Sequence, residues 1–377
     1  VDLDALAFNT RQILQLIQPQ TELLAVVKAD AYGHGAVPVA QTLLSAGAAC
    51  LGVATIPEAI QLRQSGIRSP ILLLGAFYSA EEARAIAHWR IEPTLSSPKQ
   101  ALILSEVLTD QQQLLPVHLN LDTGMARLGA PWQEVVEFSQ LVHSLSCLKV
   151  VSLYSHLATA DDPDPAGMQL QQQRFEAAVQ QLRHQGLCPP KLHLANSAAT
   201  LADPSFHYDL VRVGLALYGL YPAPHLRSQV ELRAALQIKA RITHVKRLAA
   251  GMGVSYGHRY VTERPMPIAV VGIGYADGVP RGLSNQMQVI ARGQLLPQIG
   301  TITMDQLMID ISGLPDLESG EIVTVLGQDG DAVISSDDWA TRLDTIVWEI
   351  LCGFKHRLPR VTRTRDDQVQ AALCSSR

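Results

Sequence analysis

Apolar and polar positions follow two different rhythms along this chain. Through roughly the first 225 residues, short β-rich runs recur at intervals of roughly 20–35 residues, about the size of one βα unit. Eight such runs can be read: 23–28, 49–54, 70–74, 91–95, 117–121, 150–154, 191–194 and 210–213. Several are apolar nearly throughout, as expected of strands buried on both faces. Helix-like stretches lie between them. Residues 169–185 place Leu170, Phe175, Ala178, Val179 and Leu182 on one face, with Gly186 as the stop; 57–65 and 80–88 are others. Eight units predict a (β/α)8 TIM-type barrel over 1–225. An open doubly wound sheet fits the same periodicity.

The rhythm changes after Tyr221-Pro222-Ala223-Pro224-His225, which reads as a linker. Strand-like runs follow without intervening helices, at 236–245, 267–272, 288–291, 307–311 and 322–326. This predicts a second, mainly-β domain over 226–377, so the fold class is α/β + β. One late helix is expected at about 337–351, announced by the capping-box pattern Ser335-Ser336-Asp337-Asp338. The polar C-terminal tail is expected to fray.

Composition narrows the function. Hydrophobic residues make up 47% and charged residues 17%, enough apolar material for large cores. The net charge of -5 makes a nucleic-acid-binding surface a poor first reading. No apolar run approaches the ~20 residues of a membrane span. The opening VDLDALAFNTRQ does not read as a secretory signal. The five cysteines are odd in number, widely spaced and without a Cys-x-x-Cys pair, so free thiols in a reducing cytoplasm are expected and a metal site is not.

In a barrel of this kind, chemistry gathers at the C-terminal ends of the strands. After the first run comes Lys28, in LLAVVKADAYGHGA. Partial desolvation there would lower its pKa and free its amine to bond an aldehyde cofactor. A solvated loop lysine is the commoner alternative, and His34 reads as a packing residue. The fifth run leads to Asp122 and Arg127, the sixth to His156 and Asp161. His193, Asn196 and Ser197 follow the seventh, and Arg212 and Gly214 fall at the eighth. Any one is weak, since loops are polar anyway; their placement on one barrel face is the signal. A serine hydroxyl and backbone N–H groups after strands seven and eight suit a phosphate ester. Lysine, phosphate site and arginine together suggest pyridoxal 5′-phosphate (PLP).

The run AVVKADAYGHG resembles the PLP-attachment motif of alanine racemases. DTGMARLG, SHLATAD, HLANSAA, VRVGLALYG, VSYGHRY, GIGYADGVPR and TMDQ resemble the same family in the same order, and the likeness extends to HRLPR. The resemblance implies an isomerase that interconverts L- and D-alanine. Lys28 would hold PLP covalently; Tyr32, Ser197, His356 and the backbone at Gly214 and Leu215 would hold its phosphate. Arg212 would face the pyridine nitrogen and His156 would stack on the ring. Arg127 and Met304 would bind the substrate carboxylate, with Asn120, Asp122, His193, Asn196 and Asp305 in support. Asp161, Tyr275 and Arg281 would line the entrance. Racemisation needs a proton removed from one face of Cα and returned to the other, so two bases are simplest: Lys28 and, from the partner subunit of a homodimer, Tyr256. D-alanine supply for peptidoglycan is the biological implication.

Two positions depart from the family pattern. A lysine that the family often carbamylates is here Asn120, so a bound anion, chloride, is expected beside Asn120 and Arg127. A tyrosine that often reaches the phosphate is here His356. The rivals are a racemase of broader specificity, such as for serine, a PLP-dependent decarboxylase and a non-catalytic PLP carrier. The glycine-rich AVVGIGYADG lacks the helix that a dinucleotide loop opens, and ADDPDP and GQDGDA lack EF-hand spacing.

Overall fold

The computed structural model describes residues 1–111, 113–354 and 357–364. Two units are defined by its contacts: Asp2–Ala31 with Gly35–Ala234, rejoined by Arg363 and Thr364, and Ala235–Thr362 with Val1 and Tyr32–His34.

The first unit is a parallel eight-stranded barrel. Its strands are β1 (Glu22–Val26), β2 (Cys50–Val53), β3 (Ile71–Leu73), β4 (Glu92–Leu95), β5 (Leu115–Asp122), β6 (Leu148–Ser155), β7 (Lys191–His193) and β8 (Leu210–Val213). Neighbours pair in sequence order, and β8 returns to β1 with Glu22 opposite Leu210. Two backbone hydrogen bonds close the remaining seam: Asp209 N to Leu192 O, 3.1 Å, and Arg212 N to Ala195 O, 3.0 Å. All eight β-runs are therefore strands of one barrel, and the open-sheet alternative is removed.

Helices cover the barrel: α1 (Leu3–Leu16), α2 (Ala36–Ser45), α3 (Ile56–Gln64), α4 (Ala80–His88), α5 (Pro98–Gln111), α6 (Val135–Ser144), α7 (Ala166–His184) and α8 (Ser197–Ala202). Thr55 and Ser79 start α3 and α4 with capping boxes, closed by Glu58 and Glu82. A 3-10 turn, Leu215–Tyr218, follows β8 directly in place of a helix. The eighth helix position is filled by α1, which precedes the barrel strands and packs on that turn. Buried Asn9 makes the join, with Nδ2 donating to Leu217 O and Arg233 O and Oδ1 accepting from Arg233 N. The stretch read as a linker remains in this unit, where Tyr221 OH donates to Val230 O.

The second unit is antiparallel. Its strands are β9 (Ile238–Leu248), β10 (Met266–Val271), β11 (Gln288–Ala291), β12 (Gln294–Ile299), β13 (Leu307–Asp310), β14 (Ile322–Asp329) and β15 (Ala332–Ile334), in the order β9-β10-β13-β12-β11-β14-β15. A bulge between Ile242 and His244 lets β9 pair with β14 at one end and β10 at the other, which closes the sheet on itself. The single late helix expected at 337–351 is instead two: α9 (Ser336–Leu343) and α10 (Val347–Gly353). Asp344 adopts φ 52°, ψ 50° and stops the first. Aspartate tolerates this left-handed conformation better than most residues, so no glycine flagged the break.

Candidate active site

At the mouth of β1 the backbone does something the sequence does not advertise. Ala29, Asp30, Ala31 and Tyr32 all have φ between 52° and 54°. Four consecutive left-handed non-glycine residues cost roughly 1–2 kcal/mol each. Acceptors on the same barrel unit secure the turn. Ala29 N donates to Glu58 Oε1 at 2.7 Å, Ala36 N to Asp30 Oδ1 at 2.7 Å, and Gly35 N to Asp30 O at 2.9 Å. Glu58 also takes the N–H groups of Ala54 and Thr55. Lys28 therefore lies two residues beyond β1, half-buried, at the start of a strained and pinned turn rather than within the strand. Strain concentrated in this way is typical of functional sites.

On β8, the strand paired with β1, Arg212 is almost fully buried, and its terminal nitrogens are spent on protein. Nη1 faces His193 Nδ1 and donates to His193 O, both at 3.2 Å. Nη2 donates to Ser155 O at 2.7 Å and Leu194 O at 3.1 Å, and lies 3.4 Å from His156 Nδ1. Its Nε–H makes no hydrogen bond among the described residues. Burial lowers the guanidinium to about 10, so it stays charged at neutral pH.

Behind Arg212 runs a polar chain that sequence reasoning missed. His193 Nε2 meets Ser152 Oγ at 2.8 Å, Ser152 Oγ meets His118 Nδ1 at 2.6 Å, and His118 Nε2 meets Glu92 Oε2 at 2.9 Å. The donor inventory gives it one direction. Arginine only donates, so His193 Nδ1 accepts and its Nε2–H passes to Ser152; Ser152 then donates to His118, whose Nε2–H ends on the carboxylate. Tyr154 stacks on His193 with centroids 4.7 Å apart and bonds Thr94 through its hydroxyl. The one hint in the sequence was polar residues at inward positions of apolar strands.

His156 is half-buried. Burial, then the positive charges of Arg212, Arg127 and Lys28, push it down to about 3, so its ring is neutral. The unfolded chain binds a proton at about 6.5 that the folded chain refuses until about pH 3. Stability should therefore fall as pH drops through that window. His156→Gln should flatten the acid limb of a plot of thermal midpoint against pH; an unchanged slope would remove His156 from the cause.

Ser197 Oγ accepts from Gly214 N at 2.9 Å, which leaves its own O–H to donate outward. Asn196 caps α8 through Ala199 N, and Leu215 is buried at the start of the 3-10 turn. Asp122 Oδ1 holds the loop before Arg127 by accepting from Gly124 N and Ala126 N. Arg127 borders a cavity of about 300 Å3 with Ser96, Ser97, Lys99 and Gln100. Asn120 is buried, with Nδ2 3.5 Å from Ser96 Oγ and Oδ1 without a partner. Turning the amide over would let Oδ1 accept from Ser96 and leave an N–H open to an anion. Asp161 is exposed in the loop after β6.

In the second unit Tyr32 is buried, and burial raises its phenol well above the ordinary range, so it remains a donor. Tyr256 is 73% exposed and Met304 52%. Tyr275 N donates to Thr303 O and Ala276 N to Met304 O, so the GIGYADG and TMDQ loops are zipped together. A Cβ on Gly274 would sit 2.4 Å from Met304 O, so this glycine permits close backbone approach rather than phosphate binding. Arg357 ties the loops again, at 2.7 Å from Asp305 and 3.4 Å from Asp277. Arg281 is exposed at the start of a 3-10 turn. His356 lies outside the described residues. Among the described residues no cluster of His, Cys, Asp or Glu could hold a metal ion, and no helix is long and apolar enough to cross a membrane.

The profile of the alanine racemase N-terminal domain matches residues 1–222, and that of its C-terminal domain matches 235–362. The chain belongs to the alanine racemase family. It is 62% identical to the alanine racemase of a Nostoc species over 363 residues, which cover 96% of this chain and 94% of the relative. A Synechocystis alanine racemase is 59% identical, over 96% and 97% of the two chains. The crystal structure of alanine racemase from Bacillus anthracis with bound L-Ala-P superposes with a TM-score of 0.91 at 35% identity, over 96% of this chain and 94% of that one. Alanine racemase from a D-cycloserine-producing Streptomyces lavendulae gives 0.91 at 36% identity, over 96% of both. Alanine racemases are PLP-dependent isomerases, and the donor set of the barrel suits that cofactor: an arginine N–H left over for a ring nitrogen, a neutral imidazole for a ring face, and a serine hydroxyl with a donor to spare.

Proposed function

We propose that this chain interconverts L- and D-alanine with PLP held in its barrel. The observation that carries the reading is Arg212, whose Nη groups are committed to the protein and whose Nε–H is not. A group with only donors would keep a pyridine nitrogen that faced it unprotonated. Bound PLP supplies a ring that takes up part of the negative charge left when Cα loses its proton; with an unprotonated nitrogen it is a weaker sink, which suits clean reprotonation over side reactions.

The chain's own residues do the rest. Lys28 Nζ would hold the cofactor and move the proton on the D face. Tyr256 Oη, supplied by the partner subunit of a homodimer, moves the proton on the L face. Its exposure supports that role, because a base meant for another subunit must protrude from its own. Ser197 and the backbone at Gly214 and Leu215 hold the phosphate, and the sequence resemblance adds Tyr32 and His356. His156 covers the ring. Arg127 orients the substrate carboxylate with Met304, which narrows the pocket. Asp122, His193, Asn196 and Asp305 support these groups, and Asp161, Tyr275 and Arg281 guard the entrance. A chloride beside Asn120 and Arg127 replaces the carbamylated lysine. A cytoplasmic enzyme supplying D-alanine to peptidoglycan is the biological reading.

The test is direct. The protein is incubated with PLP and L-alanine, then with L-serine, and D-enantiomers and carbon dioxide are measured. D-alanine without carbon dioxide supports racemisation; carbon dioxide would indicate a decarboxylase, and inert protein with bound cofactor a carrier. An anomalous-scattering map showing only water beside Asn120 would reject the chloride.

A further inference from the structure

The phenol of Tyr256 makes no hydrogen bond among the described residues, so its direction is set by the backbone that carries it. That backbone is unusual. Val254 is buried in a core cluster with Met266, Ile268, Ile299 and Met308. Two residues later Tyr256 stands in solvent. The reversal occurs at Ser255, which adopts φ 64°, ψ -170°. That region is essentially reserved for glycine, and a side chain there persists only where its surroundings over-determine it.

The surroundings are a reciprocal pair of hydrogen bonds. Ser255 Oγ donates to Thr301 O at 2.6 Å, and Thr301 Oγ1 donates to Tyr256 O at 2.8 Å. Each hydroxyl holds the other segment's main chain, on either side of the strained peptide. Thr301 is fully buried, and its segment is pinned in turn. Gln298 Nε2 donates to Gly300 O at 2.8 Å, and Ile302 N donates to Ser284 Oγ at 3.0 Å. Gly300 has no side chain to spare for this approach: a Cβ there would lie 2.8 Å from Val254 O and 3.2 Å from Ser255 Cβ. On the other flank, Val254 N donates to Tyr260 O and His258 N to Ser255 O.

We propose that Ser255 and Thr301 are positioning residues: their crossed hydroxyl–carbonyl bonds hold Ser255 in its strained conformation and so aim the Tyr256 phenol at the substrate's α-proton. The inference rests on Tyr256 being the base for the L face. Serine at 255 is then a specific choice. Glycine would adopt the same dihedrals without strain but would lack the hydroxyl that locks them.

A purely structural pair and an aiming pair differ in what they do to the two faces. In D2O the intact holoenzyme exchanges the α-proton of each enantiomer, read by proton NMR, while chiral chromatography reads inversion. Lys28 alone can exchange D-alanine, whereas inversion needs both bases. Tyr256→Phe is the reference and should raise the ratio of D-alanine exchange to inversion. Ser255→Gly and Thr301→Val should raise it about tenfold, since a small misplacement of a reacting group costs on the order of 10–100-fold. Thr301→Ser, which keeps the hydroxyl, should restore most of the loss. Ser255→Gly removes the strain with the hydroxyl, so its thermal midpoint should hold and separate aim from folding. If Tyr256→Phe shifts the ratio but both clamp variants lower the two rates equally, or leave them unchanged, the clamp is refuted while the base stands. If Tyr256→Phe itself lowers both rates equally, the two-base reading fails and the clamp falls with it.

Discussion

Lys28→Ala should lose racemisation by on the order of 10³-fold or more, because in the proposed function one substitution removes both a covalent anchor and a proton-transfer group. Borohydride reduction of the wild-type holoenzyme, followed by peptide mass analysis, should find a pyridoxyl group on the peptide that contains Lys28 and none on that peptide in the variant. The fold should survive. The left-handed turn after Lys28 is secured by Glu58 and Asp30 through main-chain N–H groups, so circular dichroism should be unchanged. Lys28→Arg sharpens the test. It keeps the charge but presents no nucleophilic amine at neutral pH, so it should fail almost as completely as alanine. Substantial turnover in Lys28→Arg would show that charge alone suffices, and would remove the lysine from the chemistry.

Much of the architecture was legible because its signal is local. Eight β-rich runs at βα spacing become eight strands, several of them apolar nearly throughout because both faces are buried. The limits of legibility are equally physical. Helix α1 fills the eighth position from the wrong end of the sequence, through Asn9, and no periodicity reports which helix occupies which slot. Strand β12 was missed because QLLPQI carries Pro297 and an exposed Leu295, which weaken the pattern of a strand. The strained turn at Ala29–Tyr32 and the strained Ser255 hold no glycine at their left-handed positions, so nothing in the chain announces them. The motifs point to loops at the strand ends, while the residues behind them, Glu58, Glu92, His118, Ser152 and Thr301, read as ordinary polar positions. Their roles arise only when the barrel or the β unit brings distant segments together, such as Thr301 to Ser255 across 46 positions.

Arg212→Leu pits two large effects against each other. The buried guanidinium has no carboxylate against it; the nearest in its hydrogen-bonded chain is Glu92, beyond His193, Ser152 and His118. Removing an unpaired buried charge relieves a desolvation cost, which alone would favour leucine. Against this, leucine strands the acceptors that Arg212 now satisfies: the carbonyls of Ser155, His193 and Leu194 and the Nδ1 of His193. Unsatisfied buried groups cost about 1–3 kcal/mol each. Four such groups should outweigh the relief, so a net loss of about 2–4 kcal/mol is expected in urea unfolding. Activity should fall by on the order of 10²-fold or more, because the donor that the proposed function assigns to the ring nitrogen is gone. Arg212→Lys separates the two. A single ammonium cannot span all four acceptors at two strand ends, but it keeps a charge and three donors, so it should lose less stability than leucine while still losing activity. A leucine variant as stable as the parent would mean that desolvation dominates, and that Arg212 is retained for the cofactor at the fold's expense.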